Sequence, residues 1–260
     1  MIAATGWPFL AVSGLAGALF GSFLNACVYR VPRGISIVTP PSACPRCGSL
    51  IRPYDNVPVL AWVWLGGRCR SCREPISPRY PVVEALTALV FAALATRYGF
   101  GLELLSAVVF AWAMIFVTLV DFDARIIPDA LTIPGTALGL LASLVTPLAF
   151  RDALIGSAGG FFLLWGIAWG YHRLTGVEGM GGGDIKLAAL LGAFLGWSGF
   201  LLALFLASLA GAVVGGLLMI LGRGGRRTAL PFGTFLAPAG LLVYTFGGDI
   251  LRWYLRMARG

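Results

Sequence analysis

GMGGGDIKLAALLGAFLGWSGFLLALFLASLAGAVVGGLLMI, Gly179 to Ile220, decides the fold class. After Lys186 it carries no charge for 34 residues, and an apolar stretch of that length belongs in hydrocarbon rather than in the core of a soluble domain. The rest of the chain agrees. Of its 260 residues 58% are hydrophobic and 12% charged, with a mean hydropathy of +0.88, well outside the range of soluble proteins. Apolar runs recur at about 7–29, 81–98, 102–122, 131–149, 153–173, 185–197, 199–221 and 230–247, the sixth of them short. The expected fold is an all-α polytopic membrane protein with about eight transmembrane helices and one polar loop. No basic residue precedes Arg30, so the first run reads as a retained helix rather than a cleaved secretory signal.

Basic residues set the expected orientation. With the long loop 30–80 in the cytoplasm, that side collects 14 of the 19 Lys and Arg: eight in the loop, then Arg125, Arg173, Lys186, Arg223, Arg226 and Arg227. Arg97, Arg151 and the trio Arg252, Arg256 and Arg259 fall on the other side, and that trio sits badly with eight spans. The formal charge of +8 suits a face lying against anionic lipid; no aromatic-interleaved basic patch points to nucleic acid.

The loop contains CPRC, with Cys44 and Cys47, and CRSC, with Cys69 and Cys72, separated by 21 residues. Four thiolates at this spacing suit one structural, tetrahedral zinc, which would staple a segment too small to hold itself together. The chain then divides into a first transmembrane helix (1–29), a cytoplasmic four-cysteine zinc-binding domain (30–80) and a membrane domain (81–260). Cys27, in the first run, reads as a small packing residue, and Gly17 and Gly21 as a GxxxG surface for another helix. Asn25 and Arg30 are read either as packing or as the lining of a site. No internal repeat is evident.

One histidine, His172, excludes HExxH and other multi-histidine metal sites and reads as an interfacial residue. Eleven carboxylates remain. DFDARIIPD puts Asp121, Asp123 and Asp129 at the end of the third run, and GMGGGD puts Asp184 at the start of the sixth. An ionised acid at that depth must be protonated, paired or wet. Two acids from separate helices sharing one proton can activate water and polarise a carbonyl, as in an aspartic protease. A transporter with a coupled acid and a non-catalytic scaffold fit the same residues. Asp129 reads as a cap or turn residue rather than a catalyst, while Gly181 and Gly183 let a peptide or a second acid approach Asp184. Lys186 points away from Asp184 and either snorkels or assists; Glu84 pairs with Arg79 or meets a basic or amine group of the substrate.

GSFLNACVYRVP (21–32), the two CxxC pairs, ISPRYPVVEALT (76–87), DFDARIIPDALTIPG (121–135), EGMGGGDIKLAALLGAFLG (178–196) and PFGTFLA (231–237) together resemble bacterial type IV prepilin peptidases. These are related through GxGD to archaeal preflagellin peptidases and, more distantly, to presenilin-like proteases. The resemblance implies an inner-membrane aspartic peptidase that cuts the basic leader of type IV prepilins or pseudopilins after glycine at the cytoplasmic face, serving a type IV pilus or type II secretion system. It assigns Asp121 and Asp184 as the catalytic pair. It also implies methylation of the new N-terminus with S-adenosylmethionine, since members with the cysteine loop are typically bifunctional, although no dinucleotide-type fingerprint marks a cofactor site. Thr234 stands where a second proline is common and Gly182 where a bulkier residue often sits; neither is expected to touch a catalytic group.

Overall fold

A computed structural model describes residues 6–222 and 230–259, without the side chains of 255, 258 and 259. Arg223, Arg226 and Arg227 of the charge count, and the side chain of Arg259, lie outside the described residues. The described residues form eight α-helices and no strand: α1 Trp7–Arg30, α2 Leu60–Trp64, α3 Arg79–Tyr98, α4 Leu102–Ala124, α5 Asp129–Ala142, α6 Phe150–Thr175, α7 Gly182–Ile220 and α8 Gly233–Arg259.

Six of these, α1, α3, α4, α6, α7 and α8, are long and apolar enough to cross a bilayer. The eight apolar runs reduce to six such helices for two reasons. The fourth run is helical only over the 14 residues of α5, because Ser143 ends the helix and the chain turns before Pro147. The sixth and seventh runs are one element, α7, whose 39 residues would reach about 58 Å if straight, roughly twice the hydrocarbon thickness. It is broken at Gly196, where φ is 68° and ψ 179°. The arrangement is that of a multi-pass membrane protein.

The chain packs as two compact units, Met1–Trp112 and Ala113–Gly260, with the boundary inside α4. In the first unit α1 lies on α3 at the GxxxG pair. A Cβ on Gly17 would stand 2.7 Å from the Thr87 carbonyl oxygen, and one on Gly21 would stand 2.8 Å from the Glu84 Cα. Cys27 is buried beside this seam, as expected of a packing residue. Asn25 and Arg30 have structural partners. The Asn25 amide donates to the Tyr80 carbonyl at 3.1 Å, and the Arg30 guanidinium donates to the Ser36 and Pro40 carbonyls at 2.9 and 2.8 Å, closing the loop entry.

In the second unit α6, α5 and α8 each lay a glycine on α7. A Cβ on Gly156 of α6 would stand 2.5 Å from both the Gly192 oxygen and the Gly196 carbonyl carbon, so the two backbones touch. Gly135 and Gly139 of α5 meet Leu190 and Phe194, and Gly240 of α8 meets Leu191. Lipid tails supply no hydrophobic drive between helices, so such backbone approach carries the packing. Gly156→Ala is therefore expected to destabilise the second unit by about 1–3 kcal/mol through overpacking. Gly166→Ala on the same helix, with nothing within 4 Å of its Cβ position, should be neutral. Thermal unfolding of the two variants in one detergent separates them.

Candidate active site and cysteine cluster

Asp121 lies one turn from the end of α4 and is only 5% exposed. Its Oδ2 accepts the Thr234 backbone N–H at 2.7 Å and the Thr234 hydroxyl at 3.1 Å. Thr234 is the second residue of α8, so its N–H is one of those with no partner inside the helix, and a carboxylate there also meets the positive end of the helix dipole. Thr234, which the sequence sets apart from the catalytic groups, is thus the residue that holds Asp121. The departure from the PFGPFLA pattern matters because a proline at 234 would have neither donor to give.

Asp184 is the third residue of α7. Its Oδ1 is buried without a hydrogen-bond partner among the described residues, whereas its Oδ2 lies 3.5 Å from the Cβ position of Gly181. The Gly233 backbone N–H faces Asp184, and Asp121 is close enough to act on it electrostatically. Ile127 completes the cluster. A Cβ on Gly183 would stand 2.9 Å from the Ile127 Cβ, and one on Gly233 would stand 2.8 Å from the Ile127 Cδ1 and 2.9 Å from Asp121 Oδ2. The three motifs thus converge: IIPD supplies the wedge, GGGD one acid, and the start of α8 the donors.

The glycines before Asp184 divide their work. Gly183 is covered by Ile127, Gly179 by Tyr171, and Gly181 faces the acid; Gly182 has nothing within 4 Å. At Gly183 the residue that comes close is Ile127, in the turn between α4 and α5. Asp123 is exposed, on a different face from Asp121.

Asp129 does not cap its helix. It stands inside the first turn of α5, after the N-cap Pro128, and no side-chain cap bond forms. Both of its oxygens accept Lys186 Nζ, at 2.6 and 2.7 Å. Lys186 therefore ties α7 to α5. The two side chains are 39% and 56% exposed, so the pair contributes at most about 1 kcal/mol. Glu84, in the first unit, is buried and accepts the Val59 backbone N–H at 2.7 Å.

Cys44, Cys47, Cys69 and Cys72 come together with their sulfurs within 4.8 Å of one another, and Cys44 and Cys72 Sγ are 3.9 Å apart. Tetrahedral zinc with bonds of about 2.3 Å sets its sulfurs about 3.8 Å apart, so the cluster fits such an ion. The two knuckles repeat each other, contrary to the expectation of no internal repeat. The bridge Ala43–Leu50 recurs 25 residues on as Arg68–Pro75, and the left-handed Gly48 recurs as Arg73. Around Cys47 the Ser49 hydroxyl and then its backbone N–H favour the thiolate and bring it down to about 6. The Glu74 N–H lowers Cys72, but desolvation and the neighbouring sulfurs outweigh it and push it up to about 11. A cation takes the thiolate form of such sulfurs, so binding it at this cluster would release their protons.

Two family profiles match the chain: the bacterial Peptidase A24 N-terminal domain over residues 15–98 and the type IV leader peptidase family over residues 108–216. Proteins named prepilin leader peptidase/N-methyltransferase are similar along most of its length. Those of Aeromonas hydrophila and Pseudomonas aeruginosa are each 38% identical over 274 residues, covering 96% of this chain and 94% of the relative. That of Myxococcus xanthus is 45% identical over 224 residues, covering 85% of this chain and 65% of the relative. No solved structure gives a significant match.

Proposed function

The chain belongs to the type IV leader peptidase family, and from that premise we propose that it is a prepilin leader peptidase and N-methyltransferase whose peptidase centre is Asp121 and Asp184. The observation that carries the assignment of the centre is the bond from Thr234 to a buried acid on α4, beside a second acid on α7 whose Oδ1 has no partner among the described residues. The relatives do not favour a transporter or a scaffold.

Two carboxylates near enough for one to act on the other electrostatically can share one proton. Both donors of Thr234 end on Asp121 Oδ2, which makes Asp121 the charged member. Asp184 Oδ1 is the oxygen left to carry the proton. Asp121 then takes a proton from water as the water oxygen bonds to the scissile carbonyl carbon, and Asp184 gives its proton to the carbonyl oxygen. As the tetrahedral species collapses, the proton held by Asp121 passes to the leaving nitrogen, the C–N bond breaks, and Asp184 regains its proton. Gly181 and Gly183 support the site, the second through its contact with Ile127.

The substrates are type IV prepilins or pseudopilins, cut after glycine behind a basic leader. The protein resides in the inner membrane with the site facing the cytoplasm and lipid around its spans. The four cysteines hold structural zinc, whose chemistry is to fold the loop by tying the two knuckles together. S-adenosylmethionine would supply the methyl group. Among the described residues there is no strand and hence no strand–turn–helix cradle for it.

Mass spectrometry of a cognate prepilin incubated with the purified protein in lipid tests this reading. Loss of the leader, with one added methyl group only when S-adenosylmethionine is present, is the expected result. Asp121→Asn and Asp184→Asn should each abolish cleavage, Thr234→Val should slow it about tenfold through loss of a charged hydrogen bond, and Thr234→Ser should restore most of the rate. Cleavage undiminished in either Asn variant would overturn the assignment. Metal analysis should find one zinc per chain, lost when Cys44, Cys47, Cys69 and Cys72 are changed to serine; zinc that persists in that variant would remove the cluster as its site.

A further inference from the structure

The polar loop contains an apolar segment that folds as a helix. PVLAWVW, residues 58–64, includes α2, and it exposes Leu60, Val63 and Trp64 at 66%, 63% and 85%. At spacings of three and four residues these side chains share one helical face. Opposite them Ala61 is buried, and the Trp62 indole N–H donates to the Ile76 carbonyl at 3.0 Å. The bare face is therefore fixed in place by the one behind it.

Its depth is fixed as well. Val59, immediately before α2, has φ 61° and ψ −52°, and the Leu60 N–H donates across it to the Pro58 carbonyl at 2.6 Å. Together these make a γ-turn of the rare, strained hand at a β-branched residue. Its free N–H is taken by Glu84 Oε2 at 2.7 Å. Glu84 lies five residues into α3, about 7.5 Å from its start, and its side chain leans back toward that start. Val59 thus lies between the levels of Glu84 and Tyr80. Tyr80 in turn faces Asn25, five residues short of the loop-side end of α1. The segment returns from the loop to a level about 7 Å or more inside the end of a membrane span.

At that level the surroundings are headgroups and the upper acyl chains, where Trp is favoured. The loop is charged to match: residues 30–80 hold eight Arg against Asp55 and Glu74, which suits an anionic leaflet. We propose that α2 is an interfacial membrane helix that lays Leu60, Val63 and Trp64 into the leaflet on the loop side, with Glu84 as the positioning residue that sets its depth through the Val59 γ-turn. The cysteine lobe is then seated on the bilayer by α2 as well as by its two connections. The inference requires only that α1 and α3 span the membrane, and it holds whether or not the peptidase assignment does.

The test uses the full chain in nanodiscs of phosphatidylethanolamine and phosphatidylglycerol, with the photo-reactive residue p-benzoylphenylalanine replacing Trp64 or, as a control, Arg46 in the first knuckle. Phospholipid adducts on the peptide containing position 64, at least severalfold above those at position 46, are the expected result. Adducts to another part of this chain, to a second copy or to added prepilin in place of lipid would overturn the proposal, as would lipid yields equal to the control. In the position-64 background, Glu84→Ala should cut the lipid adduct severalfold, while Glu84→Gln, which keeps an acceptor for the Val59 N–H, should not. An unchanged yield in Glu84→Ala would remove Glu84 as the depth-setting residue.

Discussion

A carboxylate held almost wholly out of solvent at the end of a membrane helix is costly unless something gives it hydrogen bonds, and in this protein the start of α8 does so. Thr234 gives two donors to Asp121 Oδ2, and the neighbouring Gly233 presents its backbone to Asp184. A helix N-terminus is suited to this because its first N–H groups have no partners within the helix. The requirement reaches outward from there. α8 must begin at Gly233, the turn after α4 must deliver Ile127, and α7 must begin at Gly182, or the two acids do not meet a common set of donors.

The glycines satisfy that requirement in the second unit. Gly233 allows α8 to reach Asp121 and Ile127, and Gly183 allows α7 to reach Ile127 from the other side. Farther along, Gly156 against Gly192 and Gly196 brings α6 to the α7 backbone. The break at Gly196 divides α7 into two helical parts, the first of which begins at Gly182 and carries Asp184 in its first turn. In the first unit Gly17 and Gly21 do the corresponding work for α1 and α3. Small residues thus set helix spacing within each unit, and the polar groups are fitted to the spaces that result.

Much of this was legible in the sequence, because its strongest signals are local. Apolar runs marked the helices, and α1, α3, α4 and α6 begin and end within a few residues of them. The paired CxxC motifs marked a four-sulfur cluster, and Gly17 and Gly21 marked a helix contact. What was illegible depended on which distant groups meet. Asp129 looked like a cap because it opens a helix, but Lys186, 57 residues away, claims its oxygens. Thr234 looked incidental because a sequence separation of 113 from Asp121 hides the bond. Glu84 offered no hint that its partner would be a strained backbone N–H in the loop. The knuckle repeat was hidden because one copy uses Gly48 and the other Arg73 for the same left-handed turn.

The convergence of Asp121 and Asp184 is the central claim, and it can be measured without any substrate. The double variant Asp121→Cys/Asp184→Cys, treated in lipid with a short thiol-bridging reagent and digested, is analysed by mass spectrometry for a linked peptide pair, beside the control Asp123→Cys/Asp184→Cys. The account predicts an abundant link between positions 121 and 184 and little between 123 and 184. Equal yields, or a link in the control pair alone, would contradict it.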